Sequence, residues 1–214
     1  MVQYKKGISL KAALEDFDPK ASLEDQFKEL AKFFLYGGYI HVISENVDRR
    51  IYIREVEFYY YNELNKHDEN NDEKVYHRIN SHYYTNVPNN PNLPIGVDTH
   101  YLKIGSLYLH SSGVDITFEK PNYRASALIR AFAIEENGEI QKIYRKGHYD
   151  CEKDERSTYI YEYLFEGLSI WGDSGFSINW EPNANWIDVS EVTSDIRINM
   201  GDNKKWRYIW KENK

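Results

Sequence analysis

The sequence predicts a mixed α+β fold in which helical segments precede a mostly antiparallel β-sheet. A stripe of apolar residues at helical spacing, several short alternating segments and an Asn-Gly turn between two of them are the supporting observations. The 214 residues suffice for one substantial core, and the chain has no internal repeat, no linker rich in Pro or Ser and no break in composition. We therefore predict a single domain over residues 1–214.

The first secure element is a helix over residues 23–36. Ser22 is a typical N-cap, Asp25 follows three residues later, and Gly37 is a typical stop signal. The apolar positions predict one buried face, formed by Leu23, Phe27, Leu30, Ala31, Phe34 and Leu35. Before this helix, residues 10–17 predict either a short helix that packs on the body or part of a loosely ordered arm over residues 1–20.

Segments rich in β-branched and aromatic residues predict strands along the rest of the chain. These segments are 39–43, 50–60, 105–110, 114–118, 126–134, 197–200 and 206–210. Asn137-Gly138 predicts the tight turn of a hairpin that joins 127–134 to 140–144. A segment rich in Asn, Asp and Pro, 62–99, predicts a long loop that is either functional or disordered.

Tyrosine and histidine are frequent, but neither predicts a site by itself. The 19 tyrosines could form a stacking surface for bases or sugars, although Tyr159, Tyr161 and Tyr163 are more simply interpreted as strand packing. The seven histidines show no His-Glu-x-x-His spacing and no paired Cys-x-x-Cys accompanies them. We predict no metal site.

The charge balance is unusual for a protein that grips duplex DNA. With 27 Lys and Arg against 34 Asp and Glu, the formal net charge is −7, whereas a phosphate-binding surface usually needs a basic stripe. Basic residues cluster at 124–146 and 204–211, but a mixed solvated surface is the simpler interpretation. Cys151 alone cannot form an internal disulfide, and no segment resembles a signal peptide or a membrane span. We expect a cytoplasmic monomer without membrane contact.

The segment from Arg54 to Tyr59 is the most informative part of the chain for function. On a strand, Glu55, Glu57 and Tyr59 share one face, so a carboxylate base and an aromatic surface would lie together. A carboxylate beside a stacking ring is typical of glycosidic-bond chemistry on a base. The simpler alternative is that Glu55 and Glu57 form the solvated face of a half-buried strand.

Further motifs occur in a fixed order along residues 22–210. They are the helix with its Gly37-Gly38 turn, Glu55-Val56-Glu57-Phe58-Tyr59, Asp72-Glu73-Lys74-Val75-Tyr76-His77, Gly105-Ser106-Leu107-Tyr108-Leu109-His110, Leu128-Ile129-Arg130-Ala131, Arg197-Ile198-Asn199-Met200 and Trp206-Arg207-Tyr208-Ile209. In this order they resemble the alkyladenine (3-methyladenine) DNA glycosylase family. The resemblance implies a curved, mostly antiparallel sheet with flanking helices, and a hydrolase of base excision repair that releases damaged or modified purines.

The resemblance also implies a role for particular residues. Glu57 would activate the attacking water and Arg130 would lie beside that water, lowering the pKa of the carboxyl. The residues that would hold the base are Tyr59, His77, Tyr108 and His110. No lysine stands where a Schiff base would form, so the enzyme would be monofunctional and would need no cofactor.

The chain departs from the family where the family grips duplex DNA. Ser112 precedes Gly113 where the family has a wedge tyrosine, and 158–170 lack the family's Gly-Pro-Gly-Lys segment. His110 replaces a stacking tyrosine, and Glu119 stands where the family has a pocket asparagine. These departures favour single-stranded or otherwise exposed bases as the substrate.

Two alternatives to a DNA glycosylase remain open from the sequence. One is a noncatalytic module that binds a nucleotide or a protein partner on the same scaffold. The other is a hydrolase of free nucleosides or nucleotides, for which an acidic protein is no handicap. An enzyme of this type requires Glu57, Arg130, Tyr59 and His77 to converge on one cleft.

Overall fold

The computed structural model describes residues 9–62, 64–65, 67–72, 101–110, 113–145, 159–172, 175–183, 192–198 and 200–211. Within these residues the helices are α1 (Leu10–Glu15), α2 (Leu23–Tyr36) and α3 (Ile160–Phe165). The strands are β1 (Gly38–Ser44), β2 (Val47–Asn62), β3 (Leu107–His110), β4 (Gly113–Thr117), β5 (Tyr123–Glu136), β6 (Glu139–Arg145), β7 (Ser177–Pro182), β8 (Thr193–Asp195) and β9 (Arg207–Ile209).

The described strands form one curled antiparallel sheet, so the predicted α+β fold with a curved sheet is confirmed. Its main path runs β3-β4-β5-β2-β1-β7. The long strands β2 and β5 pair over most of their length, while β6 pairs with the second half of β5. On the other side of β2, β9 pairs with Glu55, Val56 and Glu57 and carries β8 on its outer edge. The middle of β2 is therefore held by a strand on each side.

A break in the alternation of β2 decides which side chains face the core. Ile51 and Ile53 are buried in the core before the break, and Val56 and Phe58 are buried there after it. The register to β5 shifts on both sides of Glu55, which is how a β-bulge re-aims the side chains that follow it. Glu55 and the alternate residues after it consequently face away from the hydrophobic core.

The helices cover the opposite face of the sheet from those carboxylates. The ring of Phe27 on α2 stacks on Phe58 of β2 with 4.7 Å between ring centroids. For residues 10–17, the structure has the short packed helix, and Leu14 is 1% exposed. The side chain of Gln26 joins this segment to α2 by two hydrogen bonds with the backbone of Asp18. One continuous hydrophobic core results, with contributions from all three helices.

Most predicted elements are present with boundaries within a few residues of those expected. Ser22 caps α2 by accepting a hydrogen bond from the amide of Asp25, and Asn137 and Gly138 both have positive φ, as a tight hairpin turn requires. The strand predicted over 197–200 is wrong, because Arg197 and Met200 have no regular secondary structure and Ile198 lies in a turn.

The prediction of strand packing for the tyrosine-rich segment is also wrong. Tyr161 and Tyr163 lie on α3 rather than on a strand, because only Ile160 and Leu164, four residues apart, are buried in the core. Strand β7 was not predicted. Its pairing with the edge of β1 is close at Gly38, where an added Cβ would lie 2.2 Å from the carbonyl oxygen of Glu181.

Candidate functional site

A buried cluster of polar side chains lies on the face of the sheet that turns away from the core. We call it the polar cluster, and it consists of Glu57, Tyr59, Asp115, Ser126 and Arg130, each at most 5% exposed. Strand register brings these residues together, since Glu57 pairs with Leu128, Tyr59 with Ser126, and Leu128 in turn with Asp115. Alternate residues of β4, β5 and β2 therefore form one surface.

Glu57 is the centre of the polar cluster and is fully buried. Its Oε1 accepts a 2.5 Å hydrogen bond from the amide of Ile198, and its Oε2 accepts a 3.1 Å hydrogen bond from the Tyr59 hydroxyl. Burial raises the pKa of Glu57 by more than Arg130 and these hydrogen bonds lower it. Arg130 lowers this pKa, as expected, but desolvation is the larger effect, so the net shift is upward.

Arg130 lies beside Glu57 with much of its hydrogen-bonding capacity unused. Its Nε is 3.3 Å from Glu57 Oε2, which makes an ion pair. However, neither Nε nor Nη2 of Arg130 has a hydrogen-bond partner in the described part of the chain, although both atoms are buried. These two nitrogens form the edge of the guanidinium that grips paired acceptors. Because an unsatisfied buried donor is costly, such an edge is a mark of a site that takes a ligand or a water.

Asp115 extends the polar cluster toward β3. Its Oδ2 accepts a hydrogen bond from Ser126 Oγ at 3.1 Å, and its Oδ1 lies 3.3 Å from Nε2 of His110. The rings of His110 and Tyr108 stack on each other with centroids 5.7 Å apart. The hydroxyl of Tyr161 on α3 holds this end of the sheet by contacts to the backbone of His110 and Gly113.

The amide that binds Glu57 is fixed by a second buried ion pair. Arg197 donates from Nη1 and Nη2 to the two carboxylate oxygens of Asp72, each at 2.8 Å. Asp72 also accepts from the amide of Tyr60, and Arg197 donates to the carbonyl of Phe58. This ion pair ties the turn that contains Ile198 to the backbone of β2, on either side of Tyr59.

Tyr59 has a polar and an apolar side. The Arg197 guanidinium lies 5.3 Å from the centre of its ring, while Leu128 and Met200 pack with it in a small apolar group separate from the main core. Burial, followed by the charges of Glu57 and Asp115, raises the pKa of Tyr59 well above its ordinary value. The hydroxyl therefore remains protonated and donates to Glu57.

The structure brings together three of the site residues proposed from the sequence: Glu57, Tyr59 and Arg130. Tyr108 and His110 lie on β3 of the same sheet and connect to them through Asp115, but they stack on each other. His77 lies outside the described residues. The alternative that Glu55 and Glu57 form a solvated face is wrong, because they are 2% and 0% exposed.

Sequence reasoning missed Asp115, Ser126 and the Asp72–Arg197 pair. Asp115 stands between the apolar residues Val114 and Ile116 in a strand, which is a signal for a polar residue of interest, whereas no local pattern connects Asp72 with Arg197. Glu119 stands where the resembling family has a pocket asparagine. Its Oε2 accepts a hydrogen bond from the amide of Leu102 and lies 3.5 Å from Nη1 of Arg124.

Three other features are relevant to function: metal ligands, membrane-spanning helices and cavities. These ranges contain no group of three or more His, Cys, Asp or Glu residues that could hold a metal ion. Their helices include none that is both long and apolar enough to cross a membrane. An apolar cavity of about 420 Å³ lies on the core side of the sheet, and no residue of the polar cluster lines it.

No protein-family model, curated protein or solved structure matches this chain.

Proposed function

We propose that this protein is a monofunctional N-glycosyl hydrolase that releases a damaged or modified purine from nucleic acid, in the manner of a 3-methyladenine DNA glycosylase. The observation that carries the proposal is the ion pair of a wholly buried carboxylate, Glu57, with Arg130, whose buried Nε and Nη2 make no hydrogen bond among the described residues. Glycosidic-bond cleavage requires such a carboxylate to activate water and to stabilise positive charge on the sugar.

In the proposed reaction, ionised Glu57 takes a proton from water as the water oxygen bonds to the anomeric carbon of the sugar. The bond from that carbon to the purine breaks, its electron pair goes to the purine, and the purine takes up a proton from solvent. Glu57 returns its proton to solvent. Arg130 stabilises ionised Glu57 by charge and offers its unused edge to the water oxygen. Tyr59 forms a wall for the base.

Single-stranded or otherwise exposed nucleic acid is the proposed substrate. Ser112 replaces the wedge tyrosine of the resembling family, and the net charge of −7 disfavours a long duplex interface. The proposed enzyme has the hydrolytic centre of the resembling family, whereas the residues with which that family distorts duplex DNA are absent from this sequence.

A noncatalytic nucleotide-binding module is the second candidate, and one observation favours it. Each carboxylate oxygen of Glu57 already accepts a hydrogen bond from the protein, from Ile198 and from Tyr59. A carboxylate held in this way can serve to fix the site rather than to activate water. A hydrolase of free nucleosides or nucleotides uses the same centre and differs only in its substrate.

The test is base release from oligonucleotides that carry ethenoadenine, hypoxanthine or 3-methyladenine, in single- and double-stranded form, and from the matching nucleosides. Wild type is compared with Glu57→Gln, which keeps the acceptor for the Ile198 amide but cannot take a proton. Glu55→Gln is the matched control, because Glu55 is also buried on β2 but pairs with Arg207 at 2.6 Å.

The proposal predicts release by wild type and by Glu55→Gln, with a loss of at least about 100-fold in Glu57→Gln, the size typical of general base catalysis. Release from nucleosides alone would favour the free-nucleoside hydrolase. Folded wild-type protein that binds an oligonucleotide or nucleotide without releasing a base would favour the binding module.

A further inference from the structure

An exposed apolar turn follows α3. We call it the apolar tip, and it consists of Leu168, Ile170 and Trp171, which are 55%, 89% and 81% exposed. Single exposed apolar residues are ordinary, but three within four positions make a contiguous patch that usually marks an interaction site.

The apolar tip is held in a defined conformation. The amide of Gly172 donates to the carbonyl of Ser169 at 3.2 Å, and the amide of Trp171 donates to Ser169 Oγ at 3.1 Å. The helix before it is fixed by Glu166, whose Oε2 accepts from Arg49 at 2.7 Å. The large side chains are therefore presented to solvent by an ordered turn, which lowers the entropy cost of binding.

The protein also has an apolar cavity that can receive such side chains. Its volume is about 420 Å³, within the range of cavities that enclose small organic groups. Its walls come from both helical and strand elements and are mostly aliphatic or aromatic; they include Leu10, Leu14, Phe33, Ile40, Leu107 and Trp180.

The charges around the two features are opposite. Lys11 lines the cavity, and exposed Lys103 adjoins Ile104 and Gly105 in its wall. The helix that carries the apolar tip exposes Glu162 instead. Glu166 is already paired with Arg49 and Lys11 with Glu15, so Lys103 and Glu162 carry the complementarity. Charge complementarity of this kind steers association and fixes orientation.

The apolar tip does not fill the cavity of its own chain. Gly167 lies against Ser44 at the end of β1, whereas the cavity is lined by Gly37 and Ile40 at the start of β1. Among the residues that the structure describes, none covers Ile170 or Trp171.

We propose that the chain self-associates by placing the apolar tip of one copy into the apolar cavity of another. A reciprocal pair has two such contacts. Each contact covers one large aromatic and two aliphatic side chains, so the pair buries on the order of 1,000 Å², the size of a weak, reversible interface. The expected association is therefore detectable at micromolar to millimolar concentrations, in contrast to the monomer expected from the sequence.

Sedimentation velocity of the full chain between 5 and about 500 µM tests the proposal. Trp171→Ser removes the tip, and Ile104→Trp fills the cavity from its wall. Leu64→Ser is the matched control, since Leu64 is 78% exposed but lies in another part of the chain. Far-ultraviolet circular dichroism and the melting temperature establish that each variant is folded.

We expect wild type and Leu64→Ser to shift from monomer toward dimer or larger species as concentration rises. Trp171→Ser and Ile104→Trp should each weaken association at least 10-fold. An equimolar mixture of those two variants should associate more than either alone, because it restores one intact tip and one intact cavity. Either a monomer at every concentration or association that Trp171→Ser leaves unchanged would overturn the proposal. Binding of a small apolar probe in the cavity would not change that conclusion.

Discussion

The replacement of Arg197 by Met should destabilise the protein more than any change at an exposed ion pair. Arg197 is fully buried and donates to both oxygens of Asp72, itself 1% exposed, as well as to Phe58 and Asp202. Met removes the charge but keeps much of the apolar side-chain volume, so the effect reports the ion pair rather than a cavity.

The magnitude follows from what the substitution leaves behind. Asp72 would keep the Tyr60 amide and Lys204, whose Nζ is 3.3 Å away, but would lose its bidentate partner. Breaking a buried pair from one side costs about 3–5 kcal/mol, a large share of a total stability of about 5–15 kcal/mol. The Ile198 amide would also lose its anchor, so base release should fall.

Urea unfolding at pH 7 measures this loss, and Arg50→Met provides the matched control. Arg50 bonds Glu135 at 2.7 Å but its side chain is 44% exposed, so the control should lose no more than about 1 kcal/mol. The double variant Arg197→Met/Asp72→Asn should lose about 1–3 kcal/mol less than the sum of its single variants. A loss below about 1 kcal/mol in Arg197→Met, or strict additivity, would refute the reasoning.

Three further predictions follow from particular contacts. Burial lowers the pKa of His41, but its 2.7 and 2.8 Å hydrogen bonds to Glu181 and Asp48 raise it more, so protonated His41 stabilises the folded state. This stabilisation is complete below about pH 6.5, the ordinary pKa of a histidine, and is lost as the pH rises through the raised pKa of folded His41. The melting temperatures of wild type and His41→Gln should therefore converge at high pH. Burial raises the pKa of Glu57 more than Arg130 and its hydrogen bonds lower it, so this group makes wild type less stable as pH rises from the ordinary pKa of a glutamic acid through the raised pKa of folded Glu57. Glu57→Gln cannot titrate, so its melting temperature relative to wild type should increase between pH 3 and pH 7; a difference that does not change with pH would contradict this. Gly38→Ala should cost about 1–3 kcal/mol by overpacking against β7, measured by urea unfolding, and an unchanged midpoint would count against that close contact.

The sequence predicted the elements whose signals are local. The cap at Ser22, the apolar stripe of α2 and the Asn137-Gly138 turn each act within a few residues, and each is present in the structure. The strand predicted over 197–200 is wrong, and Arg197 in that segment instead makes a buried ion pair with Asp72, 125 positions away in the sequence. Propensity contains no information about such a contact.

The candidate site could be predicted only in part, because some of its contacts join segments that are distant in the sequence. Alternation placed Glu57 and Tyr59 on one face, but burial of that face depends on distant segments. The direction of the Glu57 pKa shift likewise depends on burial rather than on its neighbour Arg130. Asp115 joined the polar cluster only through the pairing of β4 with β5, which no short motif reveals.

The most direct test of the central claim is the pH dependence of single-turnover base release from a single-stranded oligonucleotide that carries hypoxanthine. If Glu57 is the base, the rate should rise with pH through one ionisation above the ordinary range of a glutamic acid, because burial raises the pKa of Glu57. Glu57→Gln should show no such rise and little release. Release by Glu57→Gln at the wild-type rate, or the absence of release by folded wild type at every pH, would contradict the claim.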